Sequence, residues 1–169
     1  MQARYSPMKP SPGDGDAQVT SGPAPDASIS SLYQEIILSH YRSPRHRGLL
    51  PGVTEAIEHS NPLCGDAIAI QLRREGDCIA EAAFTARACS ITQATASMLL
   101  DQAIGGTVAD ARALIGRIEA LIEGRTTAAA PGGDALGDLV SLASVARFPA
   151  RRACVRLVTG ALHDAIGPA

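Results

Sequence analysis

The hydrophobic period of the chain changes at Cys89, and this change limits the possible fold class more than any other feature. Before it, Ile68, Ile70 and Leu72 alternate with small or polar residues, which is the period of a strand with one buried face. After it, apolar residues recur every three or four positions, as in amphipathic helices. Strands that are separated from helices along the chain predict an α+β fold rather than a parallel α/β sheet.

The part of the chain before Cys89 is predicted to hold one helix and three strands. Apolar residues at helical spacing begin near Ser31, and Pro44 stops that helix. A short strand is expected over residues 53–60, followed by the alternating strand described above. A turn at Gly76 joins that strand to another, which reaches about Ala86, so the two form an antiparallel hairpin. One face of this last strand is predicted to carry Ala80, Ala82 and Phe84.

The part of the chain after Cys89 is predicted to be helical. Ser90 is in position to cap the first helix, Gln93 completes a capping box, and Gly105-Gly106 ends the helix. Three more helices are expected over residues 108–121, 134–146 and 149–166, with a loop over 124–133 and Pro149 in the first turn of the last helix.

Length and composition indicate one domain behind a tail. The chain has 169 residues, and residues 1–29 contain five prolines and no hydrophobic period. We therefore expect a disordered tail over 1–29 and a single domain over 30–169. The tail has no apolar signal core and no run of about 18 apolar residues occurs, so neither a targeting signal nor a membrane span is expected. The formal net charge of −2 disfavours a dedicated nucleic-acid binder.

The candidate functional residues are the four cysteines, Cys64, Cys78, Cys89 and Cys154. Without a signal sequence they indicate the reducing cytoplasm, where cysteines are more often metal ligands or reactive thiols than disulfides. Cys78 follows the hairpin turn, away from the other three, and is expected to be a lone half-buried thiol. The four histidines have no ligand spacing to any cysteine, so exposed or capping positions are expected for them.

Each of the other three cysteines has a structural interpretation beside a functional one. In Cys64-Gly65-Asp66 the glycine lets a thiol and a carboxylate converge, but the tripeptide alone is more simply a turn with a buried thiol and a capping carboxylate. Cys89 lies where a helix dipole stabilises a thiolate, or where a small apolar residue packs. Cys154 is either a thiol buried in the core or a thiolate among positively charged side chains. Those cations, which otherwise form a solvated basic face, are Arg147, Arg151, Arg152 and Arg156.

The order of the motifs around these cysteines is specific to one family. The segments are, in order, Leu32 to Tyr41, Ser43-Pro44-Arg45, Asn61 to Asp66, Cys89-Ser90-Ile91, Ala94 to Met98, and Phe148 to Arg151 before Cys154. Over about residues 31–166 the chain resembles the NifU/IscU-like iron–sulfur cluster assembly family, and most closely its SufU-type branch. The resemblance implies an α+β domain of the SufE/NifU-like type, with a small three-stranded antiparallel sheet packed against several helices.

The resemblance also implies a metal or cluster site with the ligands Cys64, Asp66, Cys89 and Cys154. Zinc or an iron–sulfur cluster is the implied cofactor, and three thiolates suit both because both prefer soft ligands. The implied partner is a SufS-type cysteine desulfurase, with other iron–sulfur assembly proteins or apoproteins as acceptors. Nearby arginines are expected to offset the negative charge of such a site.

Two features separate the chain from classical IscU-type scaffolds and are similar to the SufU branch. Ala153 occupies the position before the last cysteine, where those scaffolds have a histidine, and the segment from Cys89 to Cys154 is longer. Ala88 stands where the family usually has a glycine. Arg151 matches an arginine of the SufU pattern and is expected to dock the partner.

These implications lead to the hypothesis of a sulfur acceptor of the SUF type. A desulfurase group displaces one cysteine from zinc, and the freed thiolate attacks the donor persulfide. We expect Cys64 to be this acceptor because a loop ligand can swing out, with Cys154 as the second candidate. A [2Fe–2S] scaffold on the same ligands is one alternative. Another is a structural zinc-bearing binding module, which Asp66 disfavours because structural zinc sites are normally closed by cysteine and histidine.

Overall fold

The computed structural model describes residues 27–127 and 133–168 of the chain. Within these residues one helix precedes a sheet, and the remaining helices follow it. The elements are α1 (Ala27–Arg42), β1 (Ile57–Asn61), β2 (Asp66–Glu75), β3 (Cys78–Arg87), α2 (Ser90–Ala103), α3 (Val108–Ile122), a 3-10 segment (Gly133–Val145) and α4 (Pro149–Ala165). Strands and helices are separated along the chain, which confirms the predicted α+β class.

The sheet is antiparallel, with the strand order β1–β2–β3, as predicted. Ile68 and Ile70 of β2 and Phe84 of β3 lie on its buried face. α4 packs against β1 and β2, while α2 packs against β3 and α4. Burying each large apolar side chain in this layer contributes roughly 1.5–3 kcal/mol. The core also includes buried side chains of α1, α3 and the 3-10 segment.

One strand departs from simple alternation. The register of β2 and β3 shifts between Arg73 and Arg74, so Ala80 has no partner on β2. This β-bulge turns Ile79 into the core, where it is fully buried, and leaves Ala80 half-buried. The prediction that Ala80 shares the buried face of Ala82 and Phe84 is therefore wrong, because one extra residue reverses the facing of the positions beyond it.

This bulge leads to a stability prediction. We expect Ile79→Val to lower the free energy of unfolding by about 0.5–1.5 kcal/mol, because it removes one buried methylene. Ala80→Ser is the matched control and should change it by less than about 0.5 kcal/mol, because Ala80 lies outside the core. Urea unfolding followed by circular dichroism measures both. A larger loss for Ala80→Ser than for Ile79→Val would contradict the observed register.

The first helix after the sheet is capped by a thiol instead of the predicted hydroxyl. Cys89 is the N-cap of α2, and its Sγ accepts a hydrogen bond from the Thr92 N–H at 3.4 Å. Ser90 is the first helical residue, and the Gln93 side chain donates to the Ala88 carbonyl at 2.7 Å. The predicted Ser90 cap is thus wrong by one residue, because a cysteine sulfur takes the acceptor role that serine more often fills.

The segment predicted as a helix over 134–146 has a different geometry. It is the 3-10 segment Gly133–Val145, and it is interrupted at Gly137, whose φ of 48° lies in the left-handed region that favours glycine. Leu139 and Leu142 of this segment are fully buried. In the predicted loop over 124–133, residues 128–132 lie outside the described part of the chain.

His40 is buried, although exposed or capping positions were expected for the histidines. Its Nδ1 lies 2.8 Å from Ser97 Oγ, and its Nε2 lies 2.9 Å from Asp138 Oδ2. These contacts tie α1 to α2 and to the 3-10 segment. The spacing of residues within α1 could not reveal them, because both partners are distant in the sequence.

The predicted boundary between tail and domain falls inside a helix. α1 begins at Ala27, so it includes the last residues of the predicted tail, and residues 1–26 lie outside the described residues. Among the described residues, no helix is both long and apolar enough to cross a bilayer.

Candidate metal centre

Cys64 lies in the tight turn that joins β1 to β2. Asn61 and Asp66 pair at the base of this turn, and the Gly65 N–H closes it on the Asn61 carbonyl at 2.9 Å. Gly65 has a φ of 72°, a conformation that costs a glycine little. The turn exposes Cys64, and the adjacent Leu63 is 96% exposed. A thiol in this position is open to a partner protein.

Asp66 is the first residue of β2 and is buried. Its Oδ1 accepts the Cys89 N–H at 3.1 Å, and its Oδ2 accepts the Thr92 hydroxyl at 2.7 Å. A carboxylate has about four lone-pair sites, so each oxygen keeps acceptor capacity beyond these bonds. The two hydrogen bonds connect the start of β2 to the start of α2.

Cys89 lies at the amino-terminal end of α2. Its sulfur accepts the Thr92 N–H, and the Thr92 hydroxyl lies 3.4 Å from the same sulfur. Backbone N–H groups and the helix dipole favour a negative charge at such a position. The start of α2 therefore holds the Cys89 sulfur in place through the Thr92 N–H.

Cys154 lies in α4, and its thiol donates to the Ala150 carbonyl at 3.4 Å. Burial, the neighbouring Cys89 and the Asp66 carboxylate together raise the pKa of this thiol to about 12, whereas the nearby Thr92 hydroxyl lowers it. In the absence of a cation the thiol therefore stays protonated at neutral pH. A bound metal ion would displace this proton.

The fold brings Cys64, Asp66 and Cys154 together, since one donor atom of each lies within 4.8 Å of the other two. Donor atoms bound to one zinc ion are roughly 3.5–4 Å apart, so the observed spread is close to a bound arrangement. Cys89 borders this group through its effect on the Cys154 thiol and its bond to Asp66. Three sulfur donors and one buried carboxylate fit zinc or an iron–sulfur cluster.

Cys78 lies away from this group, at the other end of the sheet. It pairs with Glu75 at the β2–β3 turn and bridges to Thr107. Its thiol is half-buried, which confirms the prediction of a lone half-buried cysteine.

The arginines around Cys154 in the sequence separate in the structure. Arg156 points to α3, where it forms ion pairs with Glu119 at 3.1 Å and with Glu123 at 2.6 Å. Arg147 and Arg151 lie over the ring of Phe148, with guanidinium carbons 6.0 and 4.6 Å from its centroid. The expectation that Arg156 offsets charge at Cys154 is therefore wrong, because successive helical positions face different directions.

A groove lies between α1, the start of α2 and the start of α4. It has a volume of about 480 Å³, and its wall includes Ser90, Ile91, Arg147, Phe148 and Arg151. Neither Arg147 nor Arg151 forms an ion pair with any residue that the structure describes. The groove therefore combines an apolar surface with two available positive charges.

Thr92 contacts two members of the site and was not among the residues expected there. It is fully buried, donates to Asp66, and lies 3.4 Å from the Cys89 sulfur. Its position three residues after a cysteine at a helix start is the only signal that the sequence offers.

Known proteins of one family are similar to this chain over most of its length. The family described as the NifU-like N terminal domain matches residues 32–155. The scaffold protein IscU of Streptococcus pyogenes serotype M1, named for iron–sulfur cluster assembly, is 35% identical over 83% of this chain and 86% of its own length. The zinc-dependent sulfurtransferase SufU of Bacillus subtilis (strain 168) is 30% identical over 83% and 93%.

A solved structure also shares the fold. The crystal structure of a hypothetical protein at 2.3 Å resolution superposes with a TM-score of 0.75 and 35% identity, covering 82% of this chain and 99% of that one. The family match and the curated relatives each extend over most of the chain, and the family match includes all four candidate site residues. The chain therefore belongs to the NifU/IscU-like family, which includes the SufU branch.

Proposed function

We propose that this chain is an iron–sulfur cluster assembly protein of the SUF type, which receives persulfide sulfur from a cysteine desulfurase. The observation that carries this proposal is an exposed thiol, Cys64, held within 4.8 Å of the buried donors Asp66 and Cys154. The names of the two curated relatives, a cluster assembly scaffold and a zinc-dependent sulfurtransferase, support it. The proposed functional unit is the domain over residues 30–169, acting in the reducing cytoplasm, with residues 1–29 as a passive extension.

The proposed ligands are Cys64, Asp66, Cys89 and Cys154. Zinc bound there would keep the thiols deprotonated and protected until the donor arrives. The chain itself holds Asp66 by two hydrogen bonds and Cys89 at a helix end, so these two donors are positioned before any metal binds. Cys64 is held only by the backbone of an exposed turn.

The sulfur step proceeds by thiol exchange. The Cys64 thiolate attacks the outer sulfur of the donor persulfide, and a new bond forms between Cys64 Sγ and that sulfur. The bond between the donor cysteine and the outer sulfur breaks, and the donor leaves as a thiolate. One sulfur atom moves between proteins with no net oxidation or reduction.

Exposure favours Cys64 over Cys154 as the acceptor. Cys64 is exposed, whereas Cys154 is buried in α4 and donates to a helix carbonyl. The high pKa of Cys154 also keeps it a poor nucleophile without a metal. An incoming persulfide therefore reaches Cys64 first.

The donor protein would dock on the surface around Cys64. Leu63 stands beside the thiol and is almost fully exposed, and the groove with Arg147, Phe148 and Arg151 lies at the start of α2. An aromatic ring flanked by two arginines is typical of protein interfaces. We propose that a SufS-type cysteine desulfurase places an acidic segment there, and that other assembly proteins or apoproteins then accept the sulfur or cluster.

A [2Fe–2S] scaffold on the same ligands is the second candidate function. The 35% identity to an IscU scaffold favours it, and here the cluster is the cargo of the protein. A purely structural zinc module is disfavoured because Asp66 would be one of the ligands.

One experiment separates these functions. The protein is purified without oxygen, its zinc, iron and sulfide are measured, and it is then mixed with a SufS-type desulfurase and cysteine. We expect bound zinc and faster desulfurase turnover. A stable cluster without stimulation would support the scaffold function, and tight zinc with neither effect would support the structural module.

Arg151 offers a test of the docking surface. We expect Arg151→Ala to weaken desulfurase binding at least tenfold, roughly the cost of losing an interface arginine, and to leave zinc content unchanged. Arg117→Ala, at an exposed position of α3, is the matched control. Binding is measured by calorimetry at two salt concentrations. Equal affinities for the two variants would remove Arg151 from the interface.

A further inference from the structure

Thr92 is a buried residue whose side chain contacts two of the candidate donors in this site. It occupies the first turn of α2 and is fully buried. Its hydroxyl donates to Asp66 Oδ2 at 2.7 Å and lies 3.4 Å from Cys89 Sγ. One hydroxyl thus contacts two of the proposed ligands.

The bond to Asp66 is the shortest of these contacts and the one with a defined direction. A hydroxyl has a single donor proton, and at 2.7 Å that proton points to the carboxylate. The other carboxylate oxygen accepts the Cys89 N–H at 3.1 Å. Both oxygens are therefore held, and the plane of the carboxylate is fixed from two sides.

This arrangement matters because Asp66 differs from the other donors. A carboxylate is a harder ligand than a thiolate and binds zinc less firmly. Its rotation about the side-chain bond decides whether its remaining lone pairs face Cys64 and Cys154. Outer hydrogen bonds of this kind orient metal ligands, and their loss typically costs about 10–100-fold in metal affinity.

We propose that Thr92 is a positioning residue for the metal site, which holds the Asp66 carboxylate in its ligating orientation. This inference rests on the proposed function, because it assumes that Asp66 binds the metal. On this proposal, the Thr92 hydroxyl controls how readily the Asp66 carboxylate leaves the metal.

The chain offers a matched control one turn further along α2. Thr95 is also fully buried, but its hydroxyl has no hydrogen-bond partner within the described residues. Thr92→Val and Thr95→Val therefore remove the same atom from the same helix at equal burial. Only the first removes a bond to a proposed ligand.

The test measures the affinity of the full chain for Zn²⁺ by competition with a chromophoric chelator, and for Co²⁺ by visible absorption. We expect Thr92→Val to raise both Kd values about 10–100-fold. Thr92→Ser should stay within about threefold of the original chain, because it restores the hydroxyl, and Thr95→Val should be unchanged. Thr92→Val added to Asp66→Ala should change the Kd less than about twofold, because Thr92 acts through Asp66.

Several results would overturn the proposal. Thr92→Val could bind Zn²⁺ as tightly as the original chain, or Thr95→Val could lose as much affinity. Thr92→Ala serves as a second hydroxyl-free variant, and failure of both variants to fold without metal would assign Thr92 to folding instead. Desulfurase turnover is recorded in parallel. Tight zinc binding by the original chain without faster desulfurase turnover would count against the proposed function and would leave the role of Thr92 standing.

Discussion

Cys64→Ala is expected to abolish sulfur uptake from a cysteine desulfurase and to weaken zinc binding more than about 100-fold. The loss exceeds the 10–100-fold cost of an outer hydrogen bond because a direct ligand is removed. Folding should be unaffected, since Cys64 is exposed in a turn, and within the described residues its side chain forms a single weak hydrogen bond, to the Asn61 carbonyl at 3.8 Å. Zinc content, persulfide content and thermal unfolding of the metal-free protein measure the three effects.

Cys78→Ala is the control for this variant. Cys78 is a cysteine of the same domain, but it lies at the other end of the sheet and is only half-buried. We expect it to keep full zinc content and full sulfur uptake. Sulfur uptake that persists in Cys64→Ala and disappears in Cys154→Ala would reverse the choice between the two candidate acceptors.

Cys154→Ala is expected to lower zinc affinity by a similar factor, more than about 100-fold. Its donor atom lies within 4.8 Å of those of Cys64 and Asp66, and α4 holds it rigidly. Loss of the thiol leaves one sulfur fewer at the buried side of the site, where water cannot easily replace it. The measurement is zinc content after dialysis, compared with Cys78→Ala.

The Cys154→Ala result also tests the ligand set as a whole. Alanine removes one small sulfur atom from a packed helix, so the metal-free protein should still fold, with a loss of at most about 1–2 kcal/mol. Unchanged zinc content in Cys154→Ala, or in Asp66→Ala, would exclude the proposed set of ligands. In that case Cys154 would be the core thiol of its structural interpretation, in agreement with its burial.

Most of the fold was predictable because the hydrophobic period carries strong local information. The change at Cys89 separated strands from helices, and the alternation of Ile68 and Ile70 defined a buried face that the structure retains. The position of the bulge at Ala80 was not predictable, since nothing in the sequence marks the extra residue. The cap of α2 was displaced by one residue because a cysteine sulfur replaced the expected serine hydroxyl.

The candidate site was predictable in its residues but not in its contacts. Cys64, Asp66 and Cys154 were selected from motifs, and the fold places them together. The role of Thr92 depends on β2 and α2 meeting at the same point, which no local pattern describes. Arg156 illustrates the reverse case. Its position in the sequence suggested a place beside Cys154, but in the structure it forms ion pairs with Glu119 and Glu123.

The measurement that tests the central claim most directly is mass spectrometry of the protein after a single turnover with a SufS-type desulfurase and cysteine. Proteolysis without reductant then separates the peptides that carry the four cysteines. We expect the mass of one additional sulfur atom on the peptide with Cys64, and none on the peptide with Cys78. Additional sulfur on no cysteine, or equally on Cys78, would contradict sulfur transfer at this site.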